Sequence, residues 1–252
     1  MLLLTYQPRP VPHRIRVVDF ETTGAPDDEE GGPHAICEVG WCDVIDGGTR
    51  GLPGVRSWLV DPRRPIPPQA SAVHHITDRD VEGAECISES LAALESEDGP
   101  VDVFCAHNAK FEQAFFDPGG YPWLCTYRIA VRLWPDAPGH SNSVLRYFLG
   151  LDVCAHSDYA NNAHRAGPDA LVTAALLAHC IRVADERGIT VADMIRWSSG
   201  PPLLHRVNFG KHKGMLWEDL PTDYLRWMVD KSELDADTKA NARYRLKQRG
   251  KS

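Results

Sequence analysis

The stretch Val17-Val18-Asp19-Phe20-Glu21-Thr22-Thr23-Gly24 constrains this chain more than any other. Ile15 to Val18 is apolar and β-branched apart from Arg16, which predicts a buried strand. In an extended backbone alternate side chains share a face, so Asp19 and Glu21 point to one side and Phe20 to the core on the other. Two carboxylates held this close repel unless a cation lies between them, and the pair reads as half of a divalent-metal site. A plain strand end before an acidic loop, Asp27-Asp28-Glu29-Glu30, fits the same residues.

With 252 residues the chain is long enough for one sizeable core and a small second domain. No long uncharged apolar run is present to span a bilayer, and Met1 to Tyr6 lacks the charged start of a signal peptide. A cytoplasmic protein with no membrane partner is expected. The seven cysteines are scattered without a CxxC pair, which predicts reduced core residues in place of disulfides or zinc ligands. Charge is unevenly spread: residues 1–204 carry 16 Lys and Arg against 28 Asp and Glu, whereas residues 205–252 carry 11 against 7. A basic tail on an acidic body suits a polyanion partner, and a solvated helix with an ordinary surface fits it equally well.

Along the chain, strands are predicted at Ile36 to Val44 and Ser57 to Val60, followed by a proline-bearing extended connector at Arg63 to Pro68. A helix follows over Ser88 to Leu94. Val101 to Ala106 is a second buried strand, turning at His107-Asn108 into a helix over Ala109 to Phe116, which sets Glu112 just past the strand's C-terminal edge. Helices are predicted over Thr126 to Leu133 and Ser143 to Leu149. Pro168 then opens a long buried helix reaching Glu186, with Asp169 in its first turn. One more short helix, Thr190 to Trp197, precedes a Ser-, Gly- and Pro-rich linker. Strands first and helices later predict an α/β fold, a mixed sheet with helices on both faces.

Taken together, Asp19, Glu21, Glu112, His164 and Asp169 are four carboxylates and a histidine near strand ends and helix starts. The set resembles the DEDDh family of 3′→5′ exonucleases. VVDFETTG is similar to the family's first motif, AHNAKFEQAFF to its second, and HRAGPDALVTAALL to its third; Ala72 to Thr77 resembles a segment between the first two. The resemblance covers residues 14 to 186 and implies a ribonuclease H-like sheet. One position departs from the pattern: the family's Asp after Phe is Glu112 here. Glutamate keeps the charge but adds a methylene where ligand distances hold within about 0.2 Å, so a helix or ion must shift or water must intervene.

Val207 to Met215 with Leu220 to Met228 resembles the small C-terminal module of exodeoxyribonuclease X-like proteins. The implied organisation is a nuclease domain over 12–198, a linker over 199–204 and a basic module over 205–252. Lys211 and Lys213 beside flexible glycines suit a phosphate contact. Leu225, Trp227 and Met228 serve either as core or as a stacking platform.

The resemblance also implies the chemistry: two Mg²⁺ or Mn²⁺ ions held by Asp19, Glu21, Asp169 and Glu112, with His164 as general base in phosphodiester hydrolysis. Thr22 and Thr23 are assigned to the 3′ terminus. His74, His107 and Asn108 are assigned to substrate binding, with a structural role as the alternative. The expected substrates are DNA 3′ ends, single-stranded, in repair or proofreading beside a repair or replication partner protein. RNA 3′ ends, as for the oligoribonuclease and RNase T types, are the rival within enzymes. A nucleic-acid-binding adaptor without hydrolysis is the rival of another class, with Glu112 as its sign and the other four residues against it.

Overall fold

In a computed structural model, residues 12–26, 33–48, 54–151, 153, 157–230 and 233–250 are described. Strand β1 (Arg14–Thr22) lies near the middle of a sheet completed by β2 (Ile36–Ile45), β3 (Val55–Asp61), β4 (Glu85–Cys86), β5 (Val103–Ala106) and β6 (Trp123–Cys125). The spatial order is β4-β3-β2-β1-β5-β6. β1, β2 and β3 pair antiparallel, whereas β5 runs parallel to β1 and β6 parallel to β5. The sheet is mixed, as the order of elements predicted. β6 and the two-residue β4 are additions to that reading.

Ten helices are described: α1 (Pro68–His74), α2 (Ile87–Ser96), α3 (Lys110–Phe115), α4 (Thr126–Leu133), α5 (Asn142–Phe148), α6 (Ser157–Ala160), α7 (Ala166–Glu186), α8 (Val191–Ser199), α9 (Thr222–Asp230) and α10 (Ala236–Arg249). Strand alternation divides the core between the two faces of the sheet. Ile15 and Val17 of β1, Cys42 and Val44 of β2 and Val103 and Cys105 of β5 pack with Leu171, Leu176 and Leu177 of α7. Val18, Phe20, Val39, Trp41 and Phe104 pack on the opposite face with Leu94 of α2. Phe20 is core, as its parity required.

Arg16 interrupts the apolar strand for a reason. Its guanidinium is fully buried and pairs bidentately with Asp43, Nε and Nη2 each donating at 2.8 Å. It also donates to the carbonyls of Leu94 at 2.9 Å and Glu97 at 2.6 Å, satisfying acceptors that the end of α2 leaves open. One side chain thus fastens a helix C-terminus beneath the sheet.

α7 has the length and hydropathy of a membrane span, yet two thirds of that window, 67%, is buried inside the protein. Its apolar character comes from lying on the sheet. The six described cysteines are free, and all but Cys86 are buried. Cys154 and the acidic segment at 27–30 lie outside the described residues.

A separate core belongs to the C-terminal segment. Val207, Trp217, Leu220, Leu225, Met228 and Ala242 are buried together beneath α9 and α10. The chain before it is fastened: fully buried Asn241 donates to Pro202 O at 2.5 Å and accepts from Leu204 N–H at 3.0 Å.

Candidate active site

Three elements deliver acids to the C-terminal end of β1. Asp19 and Glu21 continue the face that packs on α7 and so point beneath that helix. α7 approaches because two glycines leave room. Gly40 is the register partner of Asp19, and a Cβ there would lie 2.3 Å from the Ala166 carbonyl carbon. At Gly167 a Cβ would lie 2.1 Å from Tyr159 Oη. The first turn of α7 therefore rests on the sheet and lowers Asp169 onto the strand acids. Carboxylate oxygens of Asp19, Glu21 and Asp169 all lie within 4.8 Å of one another.

Burial and mutual repulsion together oppose ionisation in this cluster. Burial, with repulsion from Asp169 and Glu21, holds Asp19 well above the usual carboxylate range. Glu21 is pushed up to about 8, chiefly by burial and then by Asp169. Asp169 is raised by burial, against the lowering effect of the His164 backbone N–H, which donates to its Oδ2 at 2.8 Å.

Glu112 sits apart from the triple. It is buried on α3, pushed up to about 8 by burial and by repulsion from Glu21, and its Oε2 is sealed from solvent without a hydrogen-bond partner among the described residues. It is outside the group of three whose oxygens lie within 4.8 Å of one another, yet near enough that Asp19 and Glu21 feel its charge. His164 is exposed in the left-handed region, φ 62°, immediately before α7. That backbone turns its N–H toward Asp169, and such strain on a non-glycine residue gathers at functional sites.

The expected substrate contacts divide. His74 is 2% exposed; its Nδ1 accepts from Ile76 N–H at 3.0 Å, so Nε2 carries the proton and lies 3.2 Å from Thr22 O. Both nitrogens are engaged, which suits the structural alternative, a strut beneath the turn. His107 is likewise held, by Thr126 Oγ1 at 2.9 Å and His140 O at 2.8 Å, and burial lowers it to about 4. The Thr22 and Thr23 side chains are committed within the turn: Thr22 Oγ1 donates to Gly24 O at 2.8 Å and Thr23 Oγ1 accepts from Ala35 N–H at 3.0 Å. Asn108 is exposed at φ 71° on the sheet edge. Lys211 and Lys213 are exposed in the C-terminal segment.

Sequence reasoning missed Glu38. It is the register partner of Glu21 and only 3% exposed. Arg165 grips it with two bonds of 2.9 and 2.8 Å, and it accepts from Ala166 N–H at 3.0 Å and from Ser57 Oγ at 3.1 Å. A strand carboxylate thus caps the start of α7 and sets the height of Asp169. An acid breaking the apolar run of β2 opposite Glu21 was the available signal.

The RNase T exonuclease family matches residues 17–177. Exodeoxyribonuclease 10 of Escherichia coli (strain K12) is 33% identical over 219 residues, 86% of this chain and 90% of that protein. The chain belongs to the DEDDh 3′→5′ exonuclease family. It is accordingly a hydrolase of the exonuclease class, in a family that depends on divalent metal ions. DNA polymerase III subunit epsilon of Treponema pallidum (strain Nichols) is 28% identical over 61% of this chain and 70% of its own length. Among solved structures, Exonuclease X in complex with 5′ overhanging duplex DNA is 31% identical with TM-score 0.59, covering 73% of this chain and 99% of that one. A full-length 3′-exonuclease at 13% identity and TM-score 0.54 shares the fold.

Proposed function

We propose that this DEDDh exonuclease removes nucleotides from single-stranded DNA 3′ ends by divalent-metal-dependent hydrolysis, in repair or proofreading in the cytoplasm. The observation that carries the reading is the convergence of Asp19, Glu21 and Asp169 within 4.8 Å, an arrangement of half-buried acids that fits a cation. DNA is favoured because the relative matched over 86% of this chain is named an exodeoxyribonuclease and the 31% identical solved structure holds DNA.

Asp19, Glu21 and Asp169 would hold the metal, Mg²⁺ or Mn²⁺, with Glu112 toward a second ion. Bound there, divalent ions lower the pKa of water and offset charge growing on the phosphate. His164, an exposed residue whose backbone N–H donates to Asp169, takes the proton from the attacking water. Glu38 and Arg165 fix the start of α7. His74 holds the Thr22 carbonyl, and His107 locks the loop that presents Asn108. The module over 205–252 adds phosphate contacts through Lys211 and Lys213.

The test is incubation of the purified protein with end-labelled single-stranded DNA and Mg²⁺. Stepwise shortening from the 3′ end is expected, with loss in Asp19→Ala and His164→Ala. Shortening that survives both substitutions would place the chemistry elsewhere. Competition with a matched RNA oligomer separates the sugar preference, and DNA is expected to win.

A further inference from the structure

The C-terminal core does not use all of its large aromatic residues. Leu225 and Met228 of α9 are fully buried, but Trp227 between them is 44% exposed. It stacks on Tyr224, one helical turn earlier, with ring centroids 5.1 Å apart and planes 16° apart. The two rings line a cleft of about 550 Å³ together with Gly210, Lys211, His212 and Asp223.

The opposite wall is a hairpin tip. Val207 N–H donates to Met215 O at 2.9 Å and Gly214 N–H to Val207 O at 2.7 Å, so the chain reverses through a short 3-10 turn at Gly210–His212. Gly210 is left-handed at φ 60°, and a Cβ on it would lie 3.3 Å from Tyr224 Oη. Glycine lets the tip lie against Tyr224, which brings Lys211 Nζ to 5.1 Å from the ring centroid and the His212 ring to 4.3 Å. Lys213 is exposed on the same tip.

We propose that this cleft binds an unpaired nucleotide of single-stranded nucleic acid, with the base on the Tyr224–Trp227 rings and its phosphate on Lys211 and Lys213. Stacking on aromatic faces beside cations is how unpaired strands are held without regard to sequence. The excess of 11 Lys and Arg over 7 Asp and Glu in residues 205–252 favours a polyanion over a peptide. Asp223 repels phosphate, so the ring floor takes the base and the two lysines the phosphate. The module meets the helix that carries Glu112 where Asp237 of α10 pairs with Lys110 of α3 at 3.2 Å. The inference rests on the nuclease reading and adds a second site, through which a long substrate is held while its end is cut.

The test is fluorescence anisotropy of a labelled oligothymidylate of about 20 nucleotides with the full chain carrying Asp19→Asn, in EDTA. Adding Trp227→Ala should weaken binding by roughly 5- to 150-fold, the range for loss of one stacked base, with Trp227→Phe restoring most of it. Lys211→Gln should lower the salt dependence of log K by about 0.7 for the lost phosphate contact. An abasic strand of equal length should bind weakly and be indifferent to Trp227→Ala. In the Asp19 parent, Trp227→Ala should leave dinucleotide hydrolysis unchanged, which separates loss of this site from misfolding. Equal affinity of Trp227→Ala and its parent for the oligothymidylate overturns the site, as does loss on the abasic strand as large as on the intact one. If the Asp19 protein degrades DNA while Trp227→Ala binds normally, the second site fails and the nuclease reading stands. Trp227-dependent binding without any hydrolysis is the reverse outcome.

Discussion

Acids packed this closely would rather be protonated, and that preference is measurable. Glu21 and Glu112 sit at about 8 in the folded chain against 4.5 ordinarily, so between these values the folded state binds more protons than the unfolded one. Stability of the metal-free protein therefore falls as pH rises through that window, and below about 4.5 the contribution is constant. A divalent ion that takes the place of those protons reverses the trend, so stabilisation by Mg²⁺ is larger at pH 8 than at pH 6. Thermal melts in EDTA should show the decline, and Glu21→Gln should flatten it; melts that are level or rising with pH contradict the assignment. The strand acids and Asp169 were legible because strand parity and a proline-started helix are local signals. Glu38 was not, since its meaning comes from Arg165, 127 residues away. His74 was left between substrate binding and a structural role because a motif does not reveal that both ring nitrogens are engaged.

The decisive contact between elements is the seating of α7 on β2. Gly40→Ala places a methyl into the Ala166 backbone, an overpacking that costs about 1–3 kcal/mol if the helix lifts. The lift carries Asp169 away from the strand acids, and a misplacement near 1 Å costs about 100-fold in turnover. Denaturant melts together with hydrolysis rates check both, and a variant equal to its parent in each would refute the seating argument. Long periodic stretches, α4 and α7 among them, were readable from sequence, whereas Trp123 to Cys125 was not, being three residues that become a strand only beside β5. Arg16 likewise seemed to weaken the strand signal until its partners, Asp43 and the end of α2, were visible.

For the molecule as a whole, the question is how the basic C-terminal segment is joined to the acidic nuclease body. Asn241 ties residues 202 and 204 to α10 from a fully buried position. Asn241→Ala leaves those backbone groups unpaired at a cost of about 1–3 kcal/mol. Limited proteolysis should then cut faster within residues 199–204, while dinucleotide hydrolysis is unchanged; cleavage at the parental rate would show that the tie is not what secures the segment. The charge asymmetry was plain in the sequence, but which apolar residues of the segment face inward was not. Leu225 and Met228 are core and Trp227 is on the surface, a division set by the packing of α9 against Trp217 and Ala242.

Everything turns on a divalent ion among Asp19, Glu21 and Asp169. An anomalous difference map from Mn²⁺-soaked crystals measures that directly. A peak between the three carboxylates, lost in Asp169→Asn crystals, is the predicted result. A map without density there, at an Mn²⁺ concentration that supports hydrolysis in solution, contradicts the account.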